Sequence, residues 1–451
     1  MIRDREFYKT FFKLTFSLAL TSLLAYSVNL MDNLMLGGYS ENALSGASLC
    51  NQYQYLLQMV VVAAADGVMI LGTQYWGKKN LKPISHIVGV GMRYALGFAI
   101  ILWALVFFFP QTMLGLITNQ QAVLDEAVSY IRIVCFSYIF FAATSVLLGA
   151  LRTVGIVKVG YIISTSTLCI NVCINYILIY GHFGAPRLGI RGAAIATLIS
   201  RIVELCIVIL YLKFREHNLN LNLRKLVQID HSYNKDYLRT SMALMTTQFL
   251  WGIAQMVQTA ILGHLGAAPI AANAIAVIVY QIVSVVAFGS AGAASILVGK
   301  TIGENRMDYL KTMVRTMQIL FLMIGICTGL IIFLARYPIL TLYDISPEAE
   351  SLANRFMIVL SITTVGTSYQ AICDTGIIRG GGDTRFSMIM NQISQWGIIV
   401  PLASLGAFVF QWPAMAVFFI LKSDQIFKCL PVGIRLNSWK WIKKVTREEI
   451  K

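Results

Sequence analysis

The stretch Tyr94-Ala95-Leu96-Gly97-Phe98-Ala99-Ile100-Ile101-Leu102-Trp103-Ala104-Leu105-Val106-Phe107-Phe108-Phe109 contains no charged residue. Coiled as a helix at 1.5 Å per residue it is about 24 Å long, most of the ~30 Å hydrocarbon core of a bilayer. Ile319–Leu334 repeats the pattern, and the whole chain follows it, with 57% apolar and 13% charged residues and a mean hydropathy of +0.70. A soluble protein of 451 residues does not have this composition. Loops between the apolar runs are too short to hold a catalytic domain with its own core. The eight cysteines (50, 135, 169, 173, 206, 327, 373 and 429) all fall in apolar runs and read as small hydrophobes, with no disulfides expected.

Apolar windows set against loop signals give twelve spans, near 11–36, 49–75, 87–110, 128–150, 158–181, 190–212, 238–262, 271–298, 312–335, 352–377, 384–410 and 413–434. Starting from a cytoplasmic N-terminus, the inside segments hold 27 Lys and Arg and the outside loops only Arg187, Arg191 and Arg336. Both termini are therefore expected in the cytoplasm. The formal net charge of +15 is a signal of topology, and no nucleic-acid partner is expected.

The chain repeats itself. Leu36-Gly37 matches Leu262-Gly263 and Gly77 matches Gly303 at one constant offset in the numbering. Further on, Gly149, Arg152 and Gly155 match Gly376, Arg379 and Gly382 at an offset larger by a single inserted position. Six spans per copy is an even number, so both copies enter the membrane in the same direction. This predicts two six-helix bundles related by a pseudo-two-fold along the membrane normal, with a binding site between them near the midplane. The expected boundaries are 1–213 for the first bundle, 214–236 for a cytoplasmic linker and 237–451 for the second bundle with its tail.

Ionisable groups inside a bilayer are costly and need partners, water or a cation. In span one, Ser22, Ala25, Asn29 and Asp32 recur at helical spacing and end in a carboxylate, a face suited to a hydrated cavity or to ordinary hydrogen bonding near the outer interface. Asn171 and Asn175 share a face of span five and offer two carboxamide oxygens, or else glue two helices together. Arg201 and Glu204 are three apart in span six and read as an intrahelical ion pair, with a role in coupling left open. Asp374, five residues before Arg379, reads as an ion-pair partner rather than a coupling site, and Asp66 has no obvious local partner. Span seven carries Gln258 where span one has Asp32, and presents Gln248, Trp251, Gln255 and Thr259 on one face. Such a face holds a flat organic cation or packs on a neighbouring helix. Gly380-Gly381-Gly382-Asp383-Thr384 lacks the Gly-Lys-Ser/Thr of a phosphate loop and is expected to be a tight turn, with Asp383 or Thr384 capping span eleven. The five scattered histidines argue against a metal site.

Taken together, Val28-Asn29-Leu30-Met31-Asp32-Asn33-Leu34-Met35-Leu36-Gly37, Gln74-Tyr75-Trp76-Gly77, Ala150-Leu151-Arg152-Thr153-Val154-Gly155, Asn171-x-x-x-Asn175, Gly192-Ala193-Ala194-Ile195-Ala196-Thr197 with Arg201-x-x-Glu204, and Ile378-Arg379-Gly380-Gly381-Gly382-Asp383-Thr384 resemble the multidrug and toxic compound extrusion (MATE) transporters. The resemblance covers nearly the whole chain. It implies an all-α polytopic membrane protein of twelve helices that exports organic cations or drug-like compounds in exchange for Na⁺ or H⁺ by alternating access. Carried over residue by residue, it places a cation-coupling site on Asp32, Asn171, Asn175 and Thr197. Tyr26, Asn29, Gln248, Trp251 and Gln255 are the expected substrate-cavity residues, and Asp66, Arg201, Glu204 and Asp374 the remaining intramembrane charges.

The chain departs from the family pattern in three places. Asn175 replaces a second carboxylate, span one has no proline, and span seven lacks the glutamate of some branches, which argues against a second cation site in the second bundle. The expected protein is a monomer of the plasma membrane and not an enzyme. It needs no cofactor beyond the coupling ion, and its partners are a cationic or amphipathic small molecule and the lipid bilayer. The rivals are a lipid-linked precursor flippase, which would place cationic residues in its cavity, and a membrane-embedded enzyme, which would need a catalytic cluster at one interface.

Overall fold

The computed structural model describes residues 2, 4–115, 121–215, 231–341 and 346–446. A helix lies over each of the twelve spans. The first six are Arg5–Gly37, Glu41–Gly77, Lys82–Phe108, the pair Gln121–Val134 and Ser137–Thr153, Lys158–Tyr180 and Ile190–Phe214. His231–His264, Ala267–Gly303, Met307–Leu340, Pro347–Ile372 and the run from Thr384 to Val409 follow, and Ala414–Phe427 with Cys429–Asn437 forms the twelfth. Among the described residues nine helices are long and apolar enough to cross a membrane, and the pair in span four, bent by 49°, makes a tenth. The other two fall short for separate reasons. Span seven carries Gln248, Gln255 and Gln258, and span twelve is interrupted at Lys428. Of the expected linker 214–236, positions 216–230 lie outside the described residues; Phe214 closes one helix and His231 opens the next.

The chain divides into two compact units. One comprises Leu20–Tyr75 and Lys79–Met245, the other Met1–Ala19, Trp76–Lys78 and Thr246–Lys451. Each long helix at the head of a half is thus shared, its opening turns packing in one unit and its remainder in the other. In the first unit Tyr138, Val68, Val146 and Leu151 are buried, and the Tyr237 hydroxyl donates to the Ala64 carbonyl at 2.9 Å. In the second, Phe356 and Phe418 stack at 3.9 Å amid Ile332, Leu360 and Val417, and Phe11 packs 6.3 Å from Phe321.

The sequence repeat is also a packing repeat. A Cβ on Gly149 would lie 2.8 Å from the Ala65 carbonyl oxygen, and one on Gly376 would lie 2.8 Å from that of Ala291. Ala65 and Ala291 are themselves related by the offset that carries Gly77 to Gly303. The same helix pair therefore closes to the same distance in each unit, which only glycine permits.

Spans ten and eleven depart from regular α-helix. Cys373–Ile378, Ile393–Ile399 and Leu405–Val409 form wide π turns. Pro401 follows one of them; its ring lacks an N–H and crowds the carbonyl of Gly397, so the preceding turn opens. The Gly380–Thr384 turn is present, with Gly382 at φ +94°, but the expected cap is not made. The Asp383 carboxylate instead receives Arg435 Nε at 2.9 Å and lies 2.7 Å from Lys443 Nζ, since two cations outcompete neutral backbone amides for a buried carboxylate.

Candidate functional site

In the first unit, spans one and five bring Asp32 and Asn175 together. The Asn175 Nδ2 group donates to Asp32 Oδ1 at 2.5 Å and to Asn171 Oδ1 at 3.0 Å. The four-residue spacing read from the sequence stacks the two asparagines on a buried face, at 1% and 0% exposure. Their use differs from the expectation of two free carboxamide oxygens. An ionised carboxylate only accepts hydrogen bonds, so Asn175 turns its NH₂ towards Asp32, and the Asn171 oxygen is taken up by the same group. The Asn175 Oδ1 atom remains buried with no hydrogen-bond partner among the described residues. Thr197, on span six, is buried, and the buried Tyr130 of span four adjoins it within electrostatic reach of Asp32. The sequence reading missed Tyr130, which shows no polar periodicity.

Arg201 and Glu204 form the expected pair, 2.7 Å apart, with the guanidinium 5.0 Å over the Phe141 ring. Arg201 lies within electrostatic reach of Asp32, so the pair borders the cluster. Asp66, without a partner in the sequence reading, lies within electrostatic reach of Arg152. Tyr26 and Asn29 are exposed on the helix that carries Asp32, and in span seven Trp251 is 37% exposed with Gln248 and Gln255 partly buried.

The second unit contains a cluster that the sequence reading passed over. Asp424 and Lys428 in span twelve, both buried, are joined at 2.8 Å. Gln395 of span eleven donates to Asp424 Oδ2 at 2.8 Å and accepts from Gln258 of span seven at 2.9 Å. On the other side, Lys428 donates to Asn391 Oδ1 at 3.1 Å, and Asn391 donates to Asp374 Oδ2 at 3.1 Å. Asp374 is paired with Arg379 at 3.3 Å, as expected, and also accepts from Ser387 at 2.7 Å. The signal for this cluster was in the sequence: an acid and a lysine four residues apart within an apolar span.

A polytopic helical protein built on an internal repeat, with no soluble domain among its described residues and a buried carboxylate cluster in each unit, is a membrane transport protein. The chain belongs to the MatE family, whose pattern matches residues 17–177 and again 243–405. The two matches start at the same offset as Gly77 and Gly303, so the family pattern and the internal repeat coincide. It is by descent a member of the MATE family of efflux transporters. It is 27% identical over 451 residues to the probable multidrug resistance protein NorM of Thermotoga maritima, covering 99% of this chain and 96% of that one. The Vibrio cholerae MATE transporter VcmN in its bent form shares the fold at a TM-score of 0.82 and 17% identity, over 95% of this chain and 96% of that one. So does a MOP-superfamily transporter from Pyrococcus furiosus whose binding pocket is described as of reverse polarity, at a TM-score of 0.84 and 17% identity over 97% of each chain.

Proposed function

We propose that this chain is a secondary antiporter of the plasma membrane, with both termini cytoplasmic, that exports organic cations or drug-like compounds in exchange for Na⁺ or H⁺ and catalyses no covalent reaction. The observation that carries the reading is the Asp32–Asn175–Asn171 cluster. A partly buried carboxylate held by neutral amides takes one cation at a time, so ion and cationic substrate exclude each other, and that exclusion is the requirement for exchange. Asn175 in place of a second acid favours Na⁺, which is served by neutral oxygens, over a proton shared between two carboxylates. The flippase reading needs a free cation at the site, and the nearest one, Arg201, is held by Glu204.

The test is uptake of a fluorescent cation into proteoliposomes holding the purified monomer, under imposed Na⁺ or H⁺ gradients without nucleotide. Uptake under either gradient supports the reading; none under both, with the protein correctly inserted, overturns it.

A further inference from the structure

The two buried clusters occupy corresponding helices. Gln258 stands at the repeat position of Asp32, by the offset that carries Gly77 to Gly303. Asp424 and Lys428 stand at the repeat positions of Thr197 and Arg201, by the offset that carries Gly155 to Gly382. Span eleven contributes Gln395 to the second cluster as span five contributes Asn171 and Asn175 to the first. The same three places in each unit are therefore polar, but their charges are arranged differently. In the first unit the carboxylate is on the leading helix, Arg201 within its electrostatic reach is engaged by Glu204 at 2.7 Å, and the hydrogen bond to Asp32 comes from the Asn175 amide. In the second, the carboxylate is on the sixth helix, and an ammonium from one turn further along the same helix lies 2.8 Å from its Oδ2. Asp424 Oδ1, in a residue with no exposure, has no hydrogen-bond partner among the described residues.

We propose that Lys428 is a tethered cation: it fills permanently, in the second unit, the place that the coupling ion takes and leaves in the first, so the second unit contains a latent cation site on Asp424 and only one ion is exchanged per cycle. The proposal rests on the antiport reading of Asp32 and deepens it. Its chemistry is specific. With the ammonium removed, Asp424 Oδ2 and Asn391 Oδ1, which both contact Lys428 Nζ now, would face the position the ammonium held, oxygen donors of the kind Na⁺ takes. A buried carboxylate that loses its ion-pair partner must otherwise bind a proton or draw on Lys422, which lies within electrostatic reach of Asp424. A purely structural ion pair would gain the proton but no Na⁺.

The experiment is equilibrium binding of radioactive sodium, with proton uptake followed by a pH indicator, to the purified full chain in detergent. Asp32→Asn is expected to lower binding from one cation per chain to none. Adding Lys428→Met should restore one sodium ion, and further adding Asp424→Asn should abolish it again, while Lys428→Arg in the Asp32→Asn background should restore nothing. A monodisperse Asp32→Asn, Lys428→Met protein that binds no sodium ion overturns the proposal, whether or not it takes up a proton. So does binding in Asp32→Asn alone that Asp424→Asn abolishes, because Lys428 then does not fill the site. If Asp32→Asn keeps its cation and Asp424→Asn does not remove it, the Asp32 reading fails, and the proposal still stands or falls on whether Lys428→Met raises binding from one cation to two. Should the methionine variant misfold, Lys428→Gln provides the same comparison with a polar side chain.

Discussion

Asn175 Nδ2 lies 2.5 Å from Asp32 Oδ1, a hydrogen bond that joins spans one and five 143 residues apart in sequence. Its polarity means that the carboxylate accepts from a neutral amide, a donor that does not titrate.

Asp32→Asn keeps the size of the side chain and removes its charge. The variant should insert and purify normally yet lose gradient-driven export, whereas Asn171→Ala should only weaken coupling. Export at the wild-type rate with unchanged ion dependence in the Asp32→Asn proteoliposomes would discard the site, and Asp66 and Glu204 would be the next candidates.

Asn175→Asp should place two carboxyl groups within 2.5 Å of each other, at the positions now joined by the Asp32–Asn175 bond. Like charges this close cannot both ionise, so one proton is retained at neutral pH and the site becomes proton-responsive. The shared proton leaves as pH rises, so proton binding should be lost towards alkaline pH, and export should shift from Na⁺ to H⁺ dependence. A sodium dependence unchanged across the pH range would contradict this.

Asp374→Asn should act on stability, since Asp374 is held by Arg379, Ser387 and Asn391. Arg379 is partly exposed, so losing its partner costs at most about 3–5 kcal/mol, the figure for a fully buried pair. The melting temperature should fall while ion dependence in proteoliposomes stays as in the parent. A variant that melts normally but loses coupling would reverse this assignment.

The excess of Lys and Arg in alternate loops predicts position 79 in the cytoplasm and position 125 outside. In a cysteine-free background, a membrane-impermeant thiol reagent added to intact cells should modify a cysteine at 125 and spare one at 79. The opposite pattern would invert the topology.

Much of this was written in local patterns. Uncharged runs marked the helices, the constant offset between matching glycines revealed the repeat, and the spacing of Asn171 and Asn175 placed them on the face that meets Asp32. What stayed hidden depends on contacts distant in sequence or on backbone geometry. Asp383 was read as a helix cap because Thr384 opens a helix, but its partners Arg435 and Lys443 lie far along the chain, beyond span twelve's first turns. The π turns of spans ten and eleven leave no mark in composition, because they change which carbonyl each amide reaches and not which residues are apolar. Asp424 and Lys428 were overlooked because an ion pair within one helix neutralises itself, and only the reach of Gln395 and Gln258 shows that three helices converge there.

The segment after span twelve has a consequence for biosynthesis. Trp441 has no exposure, packs where a side chain on Gly381 would stand, and donates from its indole to the Leu436 carbonyl at 2.8 Å, while Lys443 and Arg435 neutralise the buried Asp383. Until translation has passed residue 443 and released it from the ribosome, the turn before span eleven holds an uncompensated acid and an open slot for an indole. Closure of the turn before span eleven therefore waits until residue 443 has left the ribosome, so the second unit cannot finish folding as its helices emerge one by one.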